Sequence, residues 1–94
     1  MNTHAARVVV VLDAGSVEGC RAAQSLLADG CQVVATDRRA ADLVRIVYGQ
    51  CADNLLLLAA GADQLNQVLA RARTRFGRVD AVIRPTPYPL PLSA

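Results

Sequence analysis

The sequence contains no lysine. All ten basic residues are arginine, in a chain of 94 residues with a formal net charge of +2. Without a lysine amine, these residues offer no Schiff-base chemistry and no Walker-type phosphate loop. The net charge is too small to suggest a polyanion, and no nucleic-acid partner is expected. Tryptophan is absent, and Phe and Tyr together number three. The core must therefore be built from Val, Leu, Ile and Ala. Cys20, Cys31 and Cys51 are too far apart for a C-x-x-C pair, so no metal site and no disulfide framework is expected. They read as small apolar thiols in a reducing compartment. His4, the lone histidine, sits in a short polar tail with no acid near it in sequence, and no catalytic or metal role is assigned to it. No apolar run approaches the roughly 20 residues of a membrane span, and the first is too short for the core of a signal peptide. The expectation is one small cytoplasmic domain that does not associate with membranes.

What is present is organised around Arg7 to Asp37, RVVVVLDAGSVEGCRAAQSLLADGCQVVATD. Val8 to Leu12 is apolar at every position, as in a central parallel strand covered on both faces. Asp13-Ala14-Gly15-Ser16 is a turn in which Asp13 or Ser16 could cap the helix that follows. That helix is expected over Val17 to Ala28, with Cys20, Ala23, Leu26 and Leu27 on its apolar side and Glu18, Arg21 and Gln24 on the other. Gly19, in its first turn, lets it lie close on the strand. Asp29-Gly30 ends it. Val33 to Thr36 is a second strand closed by Asp37. This acid comes roughly 20 residues after the glycine turn, as in dinucleotide-binding βαβ units where it meets a ribose. Arg38 and Arg39 follow, placed to meet a 2′-phosphate or simply to be solvated.

The rest of the chain repeats the pattern. Ala40 to Val47 reads as a short helix with Leu43, Val44 and Val47 as its apolar side, broken by Tyr48-Gly49-Gln50. Asn54 to Ala60 is a third buried strand. Leu65, Val68, Leu69, Ala72 and Phe76 form a single stripe on a helix expected over Asp63 to Phe76, stopped by Gly77. Arg71, Arg73, Arg75 and Arg78 gather near its C-terminus, where cations suit the negative end of the helix dipole. Val79 to Ile83 is a fourth strand. Beyond it, Pro85, Pro87, Pro89 and Pro91 alternate with other residues, which forbids helix and favours an extended segment. The spacing is P-x-P throughout, so an SH3-type ligand is not expected.

The order of strand, glycine turn, helix, strand with Asp, helix, strand and helix, then Arg75-Phe76-Gly77-Arg78-Val79-Asp80 and Ala81-Val82-Ile83, resembles the N-terminal half of a short-chain dehydrogenase/reductase. The resemblance covers Arg7 to Pro87, and RFGRVDAVI is its most specific piece. It implies a Rossmann-like α/β half domain over residues 1–84, a four-stranded parallel sheet in order 3-2-1-4 with flanking helices, and a Pro-rich tail over 85–94. It places Gly15, Gly19, Asp37 and Arg38 beside a nucleotide, were one bound. The departures count against tight binding. The family's T-G-x-x-x-G-x-G turn falls on Leu12 to Gly19, and only Gly19 of its glycines is kept. Asp13 and Val17 stand where the other two would be, opposing a pyrophosphate by charge and bulk. Leu58 stands where the family has an adenine-contacting Asp, and Arg84-Pro85-Thr86-Pro87 stands where it has N-N-A-G. The catalytic Ser and the Y-x-x-x-K pair would fall beyond position 94, and no residue here is expected to be catalytic.

Two readings follow. In the first, the chain is a non-catalytic dehydrogenase-like module, a structural or regulatory partner that needs no cofactor. In the second, it is an NAD(P)-binding component whose active centre comes from a partner chain, with NAD or NADP held weakly. Both leave apolar sheet surface beside strands 1 and 4 uncovered, so a partner is expected, either a second copy or a larger protein subunit.

Overall fold

The computed structural model describes residues 6–47 and 52–85. Strand β1 is Val8–Val11, four valines buried on both sides. Helix α1 is Val17–Ala28, with the bounds its pattern predicts. Ser16 is its cap: the Oγ accepts from the Gly19 N–H at 2.9 Å, satisfying one of the helix's free first-turn donors. Gly30, at φ +90°, follows its end and turns the chain into β2, Gln32–Asp37. A 3-10 turn over Ala40–Leu43 leads into α2, Val44–Val47. A second 3-10 turn, Ala52–Asn54, precedes β3, Leu55–Ala59. A third, Ala62–Gln64, opens α3, Leu65–Phe76, and β4 is Ala81–Ile83. Gly77 ends α3 at φ +89°, in the left-handed region, with its N–H donating to the Arg73 carbonyl at 2.7 Å.

All pairings are parallel, and the strand order is β3-β2-β1-β4, as expected from the sequence. Period-2 alternation along β1 and β2 splits the core in two. Val9, Val11, Val33 and Ala35 face Ala23 of α1 and Leu43 and Ile46 of the α2 segment. Val10 and Val34 face Val68 and Ala72 of α3. The two central strands are uniformly apolar because each of their faces meets a helix.

Three expectations change. The apolar side of the α2 segment is Leu43 and Ile46, both fully buried, whereas Val44 and Val47 are exposed. The segment begins as a 3-10 turn, whose three-residue repeat stacks Leu43 on Ile46 instead of following a 3.6-residue helix. The third strand is five residues long and lies at the sheet edge, so only Leu55 is buried and Leu56 to Leu58 are half-covered. The fourth strand is also shorter than predicted. Val82 and Ile83 stay 40% and 36% exposed, because no element of the described residues covers β4's outer side. His4, Cys51, the break at Tyr48-Gly49-Gln50 and residues 86–94 lie outside the described residues.

Candidate functional site

The C-terminal ends of the four strands meet around a cavity of about 280 Å³. In open parallel sheets this is where ligands bind, beside the point at which strand order reverses. Here that point lies between β1 and β4, and the glycine turn leaves the end of β1 beside it. Asp13 takes φ 55°, a left-handed conformation open to Asp but costly for branched residues. This curls the turn back on itself, so the Asp13 carbonyl accepts from the Ser16 N–H at 3.1 Å and its Oγ–H at 2.8 Å. Between Asp13 and Ser16 the cap is thus Ser16, and Asp13 shapes the turn.

Asp37, at the end of β2, binds that turn directly. Its Oδ2 accepts from the Gly15 N–H at 2.9 Å and its Oδ1 from the Arg38 N–H at 2.7 Å. The approach explains Gly15, since a Cβ there would lie 2.7 Å from Asp37 Oδ2 and 2.6 Å from Asp42 Cβ. Gly15 is thus required by the protein's own acids. Gly19 serves packing in a similar way: a Cβ would fall 2.3 Å from the Asp13 carbonyl oxygen and 2.6 Å from Ala14 Cα. It seats α1 on the turn backbone and does not line the cavity. Of the four residues placed near a nucleotide by sequence, Gly15, Asp37 and Arg38 are brought together, and Gly19 lies behind them.

Arginines frame the opening. Arg84, just past β4, places Nε 3.1 Å from Asp13 Oδ2. Arg45 of α2 donates from Nη2 to the Gly15 carbonyl at 2.8 Å. The Asp13 carboxylate, read from sequence as an uncompensated charge against phosphate, is therefore paired. Sequence reasoning missed both arginines as site residues. The one available signal was that Arg84 stands in place of the first Asn of N-N-A-G at the end of a strand. Leu58 packs on the α3 side of the core, and the cavity wall after β3 is Ala60 and Gly61, with Arg38 opposite.

Elsewhere two further arginines are engaged. Arg75 donates to the Asp53 carbonyl at 3.1 Å and lies over the Phe76 ring, and Arg78 pairs with Asp80 at 2.8 Å. Asp80 also accepts from the Val8 N–H at 2.7 Å. Arg78, and after it this backbone bond, holds the Asp80 carboxyl below the usual carboxylate range. Among the described residues there is no group of His, Cys, Asp and Glu able to hold a metal, and no helix is long and apolar enough to cross a membrane.

No family model matches the sequence, and no curated protein matches it. Solved structures do. A short-chain dehydrogenase from Bacillus anthracis superposes with a TM-score of 0.75 over 85% of this chain and 34% of its own, at 22% identity. A 3-ketoacyl-(acyl-carrier-protein) reductase from Brucella melitensis, complexed with NADH, matches with a TM-score of 0.72 over 81% of this chain and 32% of its own, at 28% identity. The chain has the fold of the N-terminal part of a short-chain dehydrogenase. A further member from Streptomyces avermitilis, 27% identical, matches 86% of this chain and 30% of its own, with a TM-score of 0.72. The chain thus spans about a third of the length of these dehydrogenases.

Proposed function

We propose that this short-chain-dehydrogenase-like chain is a non-catalytic module, a structural or regulatory partner in a cytoplasmic assembly with a second copy or a larger subunit. The observation that carries this reading is the turn itself. In the dinucleotide-binding pattern, glycines open the way for a pyrophosphate to the N-terminus of the first helix. Here Val17 stands at that N-terminus, half exposed, and Ser16 already caps the Gly19 N–H. Asp13 is closed down by Arg84, and Asp37 has an oxygen committed to Gly15. No lysine or histidine among the described residues supplies a proton-transfer group. Calorimetric titration with NAD and NADP tests the reading. The expected dissociation constants are about millimolar or weaker, and micromolar affinity would overturn it.

The second reading, an NAD(P)-binding component of an oxidoreductase, draws on the Asp37–Arg38 pair beside the cavity. Asp37 keeps lone pairs for a ribose, and Arg38 is exposed at the cavity rim. The Brucella reductase of similar fold was solved with NADH. Under either reading the 94 residues alone turn over no alcohol–carbonyl pair with NAD or NADP, which a coupled spectrophotometric assay checks directly.

A further inference from the structure

Thr36, next to last in β2, is 3% exposed and is the one buried polar residue among those described. Strand alternation turns it to the α3 face of the sheet, the face of Val34. Its carbonyl accepts from the Ala14 N–H at 2.9 Å, but its Oγ1 makes no hydrogen bond among the described residues. No side-chain oxygen of those residues is both sealed from the surface and unpartnered. The Thr36 hydroxyl therefore opens onto the cavity of about 280 Å³ that Thr36 lines. Valine has the same shape and would leave no polar atom there to desolvate.

Apolar walls flank this hydroxyl: Leu12 at the end of β1, and Leu65 and Val68 on the first turns of α3. Four charged residues also line the cavity. Asp13 and Arg84 form a pair, and both Asp37 oxygens accept backbone N–H groups. The Arg38 guanidinium has no such partner among the described residues. Its Nε lies 4.0 Å from where a Cβ on Gly61 would stand, so the side chain reaches across from β2 to the end of β3. Thr36 and Arg38 are two residues apart, about 7 Å along an extended chain. The cavity is just under twice the ~150 Å³ that holds a benzene, room for one ring with its substituents. A second negative charge on a ligand would meet Asp37.

We propose that this cavity binds a compact aromatic monocarboxylate that carries a hydroxyl opposite its carboxylate. The carboxylate lies on the Arg38 guanidinium at the mouth, where a planar fork suits it. The ring packs among Leu12, Leu65 and Val68, and the ligand hydroxyl hydrogen-bonds Thr36 Oγ1. A para-substituted ring holds its two polar groups rigidly apart, so little freedom is lost on binding. This assignment rests on the regulatory reading of the chain and names the class of small molecule that such a module would sense.

Calorimetry on the 94-residue chain tests it, with 4-hydroxybenzoate, benzoate, 4-hydroxybenzyl alcohol and NAD as probes. We expect 4-hydroxybenzoate to bind with a dissociation constant of about 0.1–1 mM. Benzoate should bind about fivefold weaker, and the alcohol tenfold or more weaker. Thr36→Val should bring 4-hydroxybenzoate to the level of benzoate and leave benzoate unchanged. Arg38→Gln should weaken both carboxylates about tenfold or more and leave the alcohol unchanged. Urea denaturation should show Thr36→Val no less stable than the unmodified chain, so that its lost affinity is not misfolding. Absence of 4-hydroxybenzoate binding overturns the proposal. So does a Thr36→Val variant that loses affinity for both benzoates equally. If NAD binding is weak in either case, the non-catalytic reading stands. Micromolar NAD affinity overturns that reading and this proposal with it.

Discussion

Gly15 and Gly19 look alike in the sequence and do different work. The Cβ of Gly19→Ala would strike backbone at 2.3 and 2.6 Å, so α1 itself would have to move off the turn. We expect a loss of about 3 kcal/mol in urea denaturation, the upper end for overpacking. Gly15→Ala meets side chains of Asp37 and Asp42, which can shift, so about 1–2 kcal/mol is expected. Equal losses would show that Gly19 does not seat the helix. The same turn governs nucleotide affinity. Replacing Asp13 and Val17 together by glycine removes bulk at the helix N-terminus and releases Arg84 from its pair, so NAD binding should tighten. Asp37→Ala in that background should weaken it by roughly tenfold, the worth of one hydrogen bond to a charged group. Unchanged NAD affinity in the Asp13/Val17 variant, by calorimetry, would show that this turn is not the obstacle. Gly15, Gly19, Asp37 and Arg38 were named together from the sequence, and the structure brings Gly15, Asp37 and Arg38 together. Arg84 and Arg45 were not legible there, because the chain brings them in from beyond β4 and from α2.

Among the elements, β1 and β4 depend on a carboxylate. Asp80 enters β4 with one oxygen on the first N–H of β1, and Arg78 braces it. Its folded-state pKa lies below the ordinary value, about 3.9 in an unfolded chain. The unfolded state therefore binds the proton first. The stabilisation is fully present above about pH 4 and is lost as pH falls through the folded pKa. Asp80→Asn should flatten the stability–pH curve below about pH 4, as read by chemical denaturation across pH. An unaltered curve would assign the acid sensitivity to other carboxylates. At this scale α1 and α3 were readable because each has two or more turns of clean periodicity. The α2 segment was not. Four residues of 3-10 turn and four of α-helix give no single period, so the choice of Ile46 over Val44 and Val47 was left to packing.

Among the described residues, the sheet is covered in the middle and uncovered along β4. Val82 and Ile83 at β4, together with a small core, make its stability depend on what lies beside that strand. A protein stabilised by its own association melts higher as its concentration rises. We expect the melting temperature to climb over a hundredfold range of protein concentration. A concentration-independent melt of the unmodified chain would mean that the bare margin is stable in water.

The resemblance that the sequence carries implied the strand order; the sequence by itself determined the bounds of α1 and the parallel, doubly covered character of β1 and β2. Those follow from local periodicity, and from the rule that a run apolar on every residue must be buried on both faces. Only the tertiary structure decided that Asp37 would bind Gly15, that Arg84 would close on Asp13 and that Leu58 would point away from the cavity. Each of these depends on which residues the crossovers bring level at the strand ends. Local pattern says which way a side chain faces and is silent about what waits for it there.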